Sequence, residues 1–228
     1  MNPPLGCLFD LDGLLLDTEQ LHSQAWKLAA SNFGINLNPE DLAQLRGRRR
    51  IDCINQICNW AEKDIKKENF IKEHQPISQR LIKNAKAMQG AKELVKYCQS
   101  LNLPIALVTS SSTNSYRIKS SPHPWLEGIN IKILGDDPEI KEGKPSPEPY
   151  LLAAKRLNLN PKKCWALEDS DSGINSALSA GCTVWALIDK RDKNSSIQKL
   201  NINPNLIYIN ELSSVKNKLE DLFESINN

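Results

Sequence analysis

The chain of 228 residues carries 29 basic and 27 acidic side chains, a formal net charge of +2, and 40% of its residues are hydrophobic. This composition is typical of a globular protein with a buried core and excludes a disordered chain. The near-neutral charge gives no reason to expect a nucleic-acid partner. No stretch approaches the roughly 20 apolar residues of a membrane helix, so we expect no membrane partner.

The N-terminus and the cysteines indicate the compartment. Residues 1–4 lack a basic region and lead directly into an apolar run, so we expect no targeting segment and a cytoplasmic location. The closest cysteines, Cys53 and Cys58, have no histidine or second cysteine pair at zinc-binding spacing. We expect reduced, mostly buried thiols, with a disulfide as the alternative.

Apolar runs of strand length recur along the chain, with helical patterns between them. The runs cover residues 5–11, 104–109, 131–135, 164–168, 183–188 and 206–209, the last as a short edge strand. The helical patterns cover residues 90–102, 147–158, 172–180 and 213–226. Continuous apolar strands separated by helices predict an α/β fold, in which helices cover both faces of a parallel sheet.

Residues 19–86 interrupt this alternation with helical patterns and no convincing strand. One face of a first helix carries Leu21, Ala25, Leu28, Ala29 and Phe33. Gly34 can end that helix, and further helices are expected over residues 39–45, 50–61 and 66–84. We therefore expect a helical domain of residues 19–86, inserted after the first strand into a core of residues 1–18 and 87–228.

The first polar cluster is Asp10-Leu11-Asp12-Gly13, at the end of the first strand. Alternate residues of a strand face the same way, so the two carboxylates are expected to project together at its carboxyl end. Such a pair suits Mg²⁺. By itself the segment is equally compatible with a plain Asp-Gly turn.

Three more polar clusters follow, each with a simpler structural reading. Residues 109–112, a threonine and three serines, form either an anion pocket or a capped loop. Lys144, within residues 143–147, either offsets the charge of a carboxylate and a phosphate or is an exposed lysine. Residues 168–173 begin with two acidic side chains, which suit either a cation or a helix N-terminus.

Taken together, the clusters favour a functional site. All four fall at or just after the carboxyl ends of predicted parallel strands, which is the sheet edge where α/β folds bind ligands. An acid pair, a hydroxyl, a lysine and a second acid pair are unlikely to reach that edge by chance.

The sequence resembles the haloacid dehalogenase superfamily, in particular its phosphatase and β-phosphoglucomutase branch with a helical cap. The resemblance covers essentially the whole chain and is carried by FDLDGLLLDT, ALVTSSS, GKPSPEPY and ALEDSDSGI, in this order and spacing. It implies a Rossmann-like core with a five-stranded parallel sheet and a mobile four-helix cap. It also implies a small phosphorylated metabolite as substrate, and we expect a monomer.

The resemblance assigns roles to the core residues. Asp10 is the implied nucleophile, which becomes an aspartyl phosphate, and Asp12 is the implied general acid and base. Thr109 would donate a hydrogen bond to a phosphoryl oxygen, and Lys144 would hold Asp10 and the phosphate. The implied Mg²⁺ ligands are Asp10, the backbone carbonyl of Asp12, Glu168 and Asp169.

Substrate-binding residues are expected on both sides of the site. His22 lies near an apolar stripe and is either structural or substrate-facing. Arg46 and Arg50 match basic positions that face the site in the resembled branch, although a basic run is usually a solvated turn. The other expected substrate-binding residues are Gly47, Ser110 and Ser111.

The favoured function is a Mg²⁺-dependent phosphatase of a small metabolite, in particular a sugar phosphate. The alternative is a β-phosphoglucomutase-type isomerase, but residues 110–114 lack the lysine that such mutases tend to carry there. The intact acid and lysine set argues against a non-catalytic binding protein, and the acid pairs argue against a dehalogenase. Residues 116–130 are unusual for the branch and predict an early helix end followed by a local loop variation.

Overall fold

The computed structural model describes residues 1–61, 63–188 and 203–227 of the chain. The ranges predicted for the core and the helical insert also contain residues 62, 189–202 and 228, which lie outside the described residues.

The centre of the fold is a parallel sheet. Its strands are β1 (Gly6–Phe9), β4 (Ile105–Val108), β5 (Ile131–Ile133), β6 (Cys164–Glu168), β7 (Thr183–Leu187) and β8 (Leu206–Ile209). Their order across the sheet is β5-β4-β1-β6-β7-β8. Within the described residues this sheet has six strands, so the count of five implied by the resemblance is wrong. The sixth, β8, lies at the edge, where the apolar run of residues 206–209 predicted a short edge strand. The α/β fold with a parallel sheet is confirmed.

Both faces of the sheet are buried, as the continuous apolar strands require. On β1, Phe9 belongs to the apolar cluster that includes helices α5 (Ala91–Ser100) and α9 (Ser213–Asn227). The preceding residue, Leu8, belongs to the opposite cluster, with helices α7 (Glu148–Arg156) and α8 (Asp171–Ser179). The alternation of side chains along β1 therefore anchors the sheet to helices on both sides.

The segment after β1 is helical, with α1 (Glu19–Ser31), α2 (Pro39–Leu45), α3 (Arg50–Trp60) and α4 (Lys67–Ile82). The buried apolar side chains of these helices form a separate cluster, which includes Trp26, Ile54 and Phe70. Leu28, predicted on the buried face of α1, is 40% exposed. The buried face is rotated toward Trp26 and Ala30, whose side chains pack into this cluster.

A short antiparallel pair lies where the chain leaves and re-enters the core. β2 (Leu16–Asp17) pairs with β3 (Lys86–Ala87), and the four helices lie between them in the chain. On this basis we propose that residues 19–86 form a cap domain on a core of residues 1–18 and 87–228.

The segment that the sequence marked as unusual contains a short helix and a turn of 3₁₀ helix. Helix α6 (Thr113–Ser120) ends before Pro122, and a 3₁₀ helix follows at Pro124–Gly128. The early helix end is thus confirmed. The six cysteines are free thiols, and all but the half-buried Cys58 are buried.

In the described parts of the chain, no helix combines the length and apolar character that a bilayer crossing would require.

Candidate active site

The carboxyl ends of three neighbouring strands bring the predicted core residues together. β1 lies between β4 and β6, so the residues that follow or end these strands meet at one edge of the sheet. Asp10 follows β1, Thr109 follows β4, and Glu168 ends β6 with Asp169 next to it. All four side chains are buried. Buried polar groups of this kind need partners of opposite charge or hydrogen bonds.

Lys144 provides the main positive charge at this edge. Its Nζ donates to Asp10 Oδ1 at 2.5 Å, to Glu168 Oε1 at 2.6 Å and to the carbonyl oxygen of Val108 at 2.8 Å. The side chain is 2% exposed. Tyr150 Oη donates to the same Glu168 oxygen at 2.6 Å. Lys144 is thus held between two carboxylates, and it is close enough to Asp10 to lower the charge that a phosphate would meet.

Burial disfavours the charged forms of two carboxylates in the acidic cluster. Burial raises the pKa of Asp10 well above its ordinary value, although the charge of Lys144 acts in the opposite direction. Burial likewise raises the pKa of Asp169, in spite of Arg46 beside it. Carboxylate oxygens of Asp10, Glu168 and Asp169 lie within 4.8 Å of one another. Hard oxygen donors at this spacing fit a divalent cation that prefers oxygen ligands.

Gly13 permits the tight approach of the acidic residues. It has a φ of +82°, and a Cβ at this position would lie 1.9 Å from Asp169 Oδ2. A side chain would therefore be strained by the backbone angle and would also collide with Asp169. The Asp-Gly turn considered from the sequence is real, and it directs Asp10 and Asp12 into the site.

Asp12 is surrounded by hydrogen-bond donors from separate parts of the chain. Burial alone would raise the pKa of its carboxyl, but the neighbouring Lys119 and His22 outweigh burial and hold the pKa well below its ordinary value. The partners of Asp12 are Thr18 Oγ1 at 2.7 Å, His22 Nε2 at 3.1 Å, Ser111 Oγ at 2.9 Å, Thr109 Oγ1 at 3.3 Å and Lys119 Nζ at 2.5 and 2.6 Å.

Lys119 is a site residue that the sequence analysis did not identify. It lies near the end of α6, is fully buried, and also donates to Ser111 Oγ at 2.5 Å. A signal existed in the helical spacing, because Lys119 is seven residues after the N-cap Ser112 and three after the buried Tyr116. These positions share one face of a helix, and that face turns toward the site.

The loop between α2 and α3 contacts the core through hydrogen bonds and ion pairs. Ser110 Oγ donates to the carbonyl oxygen of Gly47 at 2.7 Å. Arg46 forms ion pairs at 2.8 Å with both Glu19 and Asp169. Gly47 has a φ of +70°, and a Cβ there would lie 2.1 Å from Ser170 Oγ. The predicted residues Arg46, Gly47 and Ser110 therefore meet at this contact, where the Arg46 guanidinium binds carboxylates of the protein.

A cavity that is partly open to solvent lies between the core and the helical insert. The predicted residues that line it are Asp10, Asp12, His22, Arg46, Gly47, Arg50, Thr109, Ser110 and Ser111. Trp26, His74 and Ser78 also line it and were not predicted. Which face of a helix turns toward a cavity depends on tertiary packing, and no motif indicates these three residues.

Comparison with known proteins agrees with this arrangement. Residues 7–187 match the family model described as haloacid dehalogenase-like hydrolase. The chain is 32% identical over 190 residues to (DL)-glycerol-3-phosphatase 2 of Arabidopsis thaliana, covering 81% of this chain and 79% of that protein. It is 34% identical over 188 residues to hexitol phosphatase A of Escherichia coli, covering 80% and 82%.

Among solved structures, the fold is similar to that of a β-phosphoglucomutase from Clostridium difficile. The TM-score is 0.74, the identity is 22%, and the match covers 96% of this chain and 99% of that one. At this identity the likeness shows the shared fold alone.

Proposed function

The chain belongs to the haloacid dehalogenase-like hydrolases, and we propose that within this family it is a Mg²⁺-dependent phosphatase of a small phosphorylated metabolite, in particular a sugar phosphate. The observation that carries the proposal is the pairing of Asp10 with Lys144 at 2.5 Å, at the carboxyl edge of the sheet and beside Asp12. A carboxylate held in this way is positioned as a nucleophile for phosphorus. The names of the phosphatase relatives support the same reaction class.

In the first step, a carboxylate oxygen of Asp10 attacks the phosphorus. The bond from phosphorus to the leaving oxygen breaks, and Asp12 transfers a proton to that oxygen. Thr109, Ser110 and Ser111 are suited to donate hydrogen bonds to phosphoryl oxygens. The product on the enzyme is an aspartyl phosphate.

Asp12 must carry a proton for this step. Lys119 and His22 hold the pKa of its carboxyl well below the ordinary value, although burial acts against them. Asp12 therefore takes up its proton when the substrate binds, because the negative charge of the substrate offsets that of Lys119 and raises the pKa of the Asp12 carboxyl.

In the second step, water attacks the phosphorus of the aspartyl phosphate. Asp12, now a carboxylate, accepts a proton from that water, and the bond between phosphorus and Asp10 breaks. Lys144 stabilises the returning charge on Asp10. Inorganic phosphate leaves, and the site is restored.

The acidic cluster provides the metal site of this proposal. Asp10, Glu168, Asp169 and the backbone carbonyl of Asp12 would hold Mg²⁺, which supplies positive charge against the repulsion between carboxylate and phosphate. His22, Arg46, Gly47 and Arg50 line the substrate cavity from the cap side. The monomeric state and cytoplasmic location expected from the sequence stay predictions.

The test is the substitution Asp10→Asn, which keeps the shape of the side chain and removes the nucleophilic carboxylate. We expect phosphate release to fall by about 10⁴-fold or more, because one half of a covalent mechanism is lost. Release is measured with glycerol 3-phosphate, sorbitol 6-phosphate and para-nitrophenyl phosphate, each with Mg²⁺. The matched control is Asp64→Asn, an exposed position in the loop between α3 and α4.

Near-normal release by a folded Asp10→Asn protein would remove Asp10 as the nucleophile. The same assay separates the phosphatase from the alternative, a β-phosphoglucomutase-type isomerase. A phosphatase releases phosphate steadily without a sugar bisphosphate primer. Primer-dependent conversion of β-glucose 1-phosphate that exceeds phosphate release would replace the phosphatase proposal by the mutase.

A further inference from the structure

The cap side of the cavity contains polar groups that the proposed chemistry does not use. Helix α1 contributes Trp26, and helix α4 contributes His74 and Ser78, which are one turn apart. All three side chains are buried, with exposed fractions of 7%, 1% and 6%. They line the same cavity as Asp10 and Asp12.

His74 is buried without hydrogen bonds. Its ring stacks on Trp26, with the centroids 3.7 Å apart and an angle of 12° between the planes. Within the described part of the chain, neither ring nitrogen has a hydrogen-bond partner. Leaving a buried polar group unpaired destabilises the folded state, and native proteins rarely do so. A ligand group that packs against the ring from the cavity would supply the missing hydrogen-bond partners.

The charge of His74 limits which ligand fits. Burial, followed by the charges of His22 and Arg50, lowers the pKa of the ring to about 3. Near neutral pH the imidazole is uncharged, with one nitrogen as donor and the other as acceptor. A hydroxyl group can both donate and accept, so it can pair with either nitrogen. A phosphate dianion only accepts, and it would leave the acceptor nitrogen of His74 unpaired.

We propose that His74 and Ser78 form a hydroxyl-binding subsite for the leaving group, so that the preferred substrates are monophosphates of sugars or other polyols. The inference rests on the phosphatase proposal and adds to it the residues that select the hydroxyl groups of the substrate. Trp26 fixes the plane of the His74 ring, and Arg50 adds a cation that can donate to hydroxyls.

The experiment compares substrates that differ only in their hydroxyl groups. Sorbitol 6-phosphate is paired with n-hexyl phosphate, and glycerol 3-phosphate with n-propyl phosphate. For each pair, the hydroxyl preference is the ratio of kcat/KM for the polyol phosphate to kcat/KM for the alkyl phosphate. The pair that gives the larger ratio in the unmodified protein is used for the comparison with variants. A site with buried groups that need hydroxyl partners should give a ratio of about 10- to 100-fold in the unmodified protein.

The test variant is His74→Phe, which retains a ring against Trp26 and removes both nitrogens. We expect the hydroxyl preference, a ratio measured within one protein, to fall about tenfold or more. The matched control is His123→Phe, since His123 does not line the cavity and its Nε2 donates a hydrogen bond to the carbonyl oxygen of Ala85. The His123→Phe variant should retain the hydroxyl preference of the unmodified protein.

If His74→Phe does not fold, His74→Gln and Ser78→Ala take its place, and at least one must lower the ratio about threefold or more. The inference is overturned if the unmodified protein shows no hydroxyl preference, or if the folded variants keep its ratio. Failure of the phosphatase proposal looks different, because the unmodified protein would then not hydrolyse para-nitrophenyl phosphate either.

Discussion

At the residue scale, Asp12 depends on partners that are far apart in the chain. Thr18 and His22 reach it from the N-terminal end of α1, and Ser111 and Lys119 reach it from the segment after β4. A buried carboxylate is stable only when such partners balance its charge. Lys119 is the strongest of them, because its Nζ lies within 2.6 Å of both carboxylate oxygens.

We predict that Lys119→Met destabilises the protein and slows the reaction. Removing one partner of a buried ion pair costs about 3–5 kcal/mol in the free energy of unfolding, because the other charge stays buried. The rate of phosphate release should fall as well, since Asp12 is no longer held in one position. Denaturant unfolding and steady-state phosphate release measure the two effects. Arg117→Met, on the exposed side of the same helix, is the matched control.

A double-mutant cycle identifies the carboxylate on which Lys119 acts. In an Asp12→Asn background, Lys119→Met should cost far less stability than in the unmodified protein, because the charge it balances is gone. Equal costs in the two backgrounds would show that the lysine stabilises α6 without acting on Asp12.

At the scale of secondary structure, the sequence predicted the order of strands and helices better than their ends. The first apolar run, residues 5–11, extends beyond β1 (Gly6–Phe9) because the residues after the strand are also buried. Leu11, Leu14 and Leu15 are fully buried but belong to the turn that carries the acidic pair. Hydrophobicity alone cannot separate a buried turn from a buried strand.

The shortest elements left little usable pattern. β2 and β3 have two residues each, which is too few to show an alternation. Helix α6 is short and largely polar, so the helical spacing that relates Lys119 to Tyr116 was a weak signal. Motifs therefore located the acidic residues and Lys144, whereas His74 and Ser78 became visible only through the packing of helices.

The contact between α1 and α4 predicts a pH dependence of stability. Burial, with the charges of His22 and Arg50, lowers the pKa of His74 from its ordinary 6.5 to about 3. Between these values the unfolded chain binds more protons than the folded protein, so stability falls as the pH falls below about 6.5. From about pH 7 to about pH 5, this residue alone should lower the free energy of unfolding by about 2 kcal/mol.

Denaturant unfolding at both pH values checks this prediction by comparison with His74→Gln. The carboxylates titrate in both proteins, so the difference between the two pH profiles isolates His74. The unmodified protein should lose about 2 kcal/mol more than the variant on acidification. Parallel profiles would mean that the His74 ring is protonated as easily in the folded protein as in the unfolded chain.

At the scale of the whole molecule, the acidic cluster exists only in the folded state. Asp10 and Asp169 are 159 positions apart in the numbering of the chain, and the sheet brings them together. A ligand that binds the folded protein alone must stabilise it by mass action. The proposed metal site can therefore be tested without any substrate.

We predict that Mg²⁺ raises the free energy of unfolding. Above the dissociation constant, each tenfold increase in Mg²⁺ should add about 1.4 kcal/mol. Thermal unfolding in a Mg²⁺ series, with NaCl added to keep the ionic strength constant, measures the effect, and Asp169→Asn should reduce it. EDTA should remove both the added stability and the release of phosphate. An unfolding midpoint that does not respond to Mg²⁺ would argue against the cluster as a metal site.

The position of Lys119 on α6 limits how this part of the chain can vary. The helix begins after the N-cap Ser112, and seven residues later its inward face presents Lys119 to Asp12. One inserted residue would turn every later side chain by about 100° around the helix axis. Exposed positions such as Asn114 and Arg117 can therefore change identity, whereas a gain or loss of one residue before Lys119 would remove the lysine from the site. The number of residues between Ser112 and Lys119 is therefore more constrained than their identity.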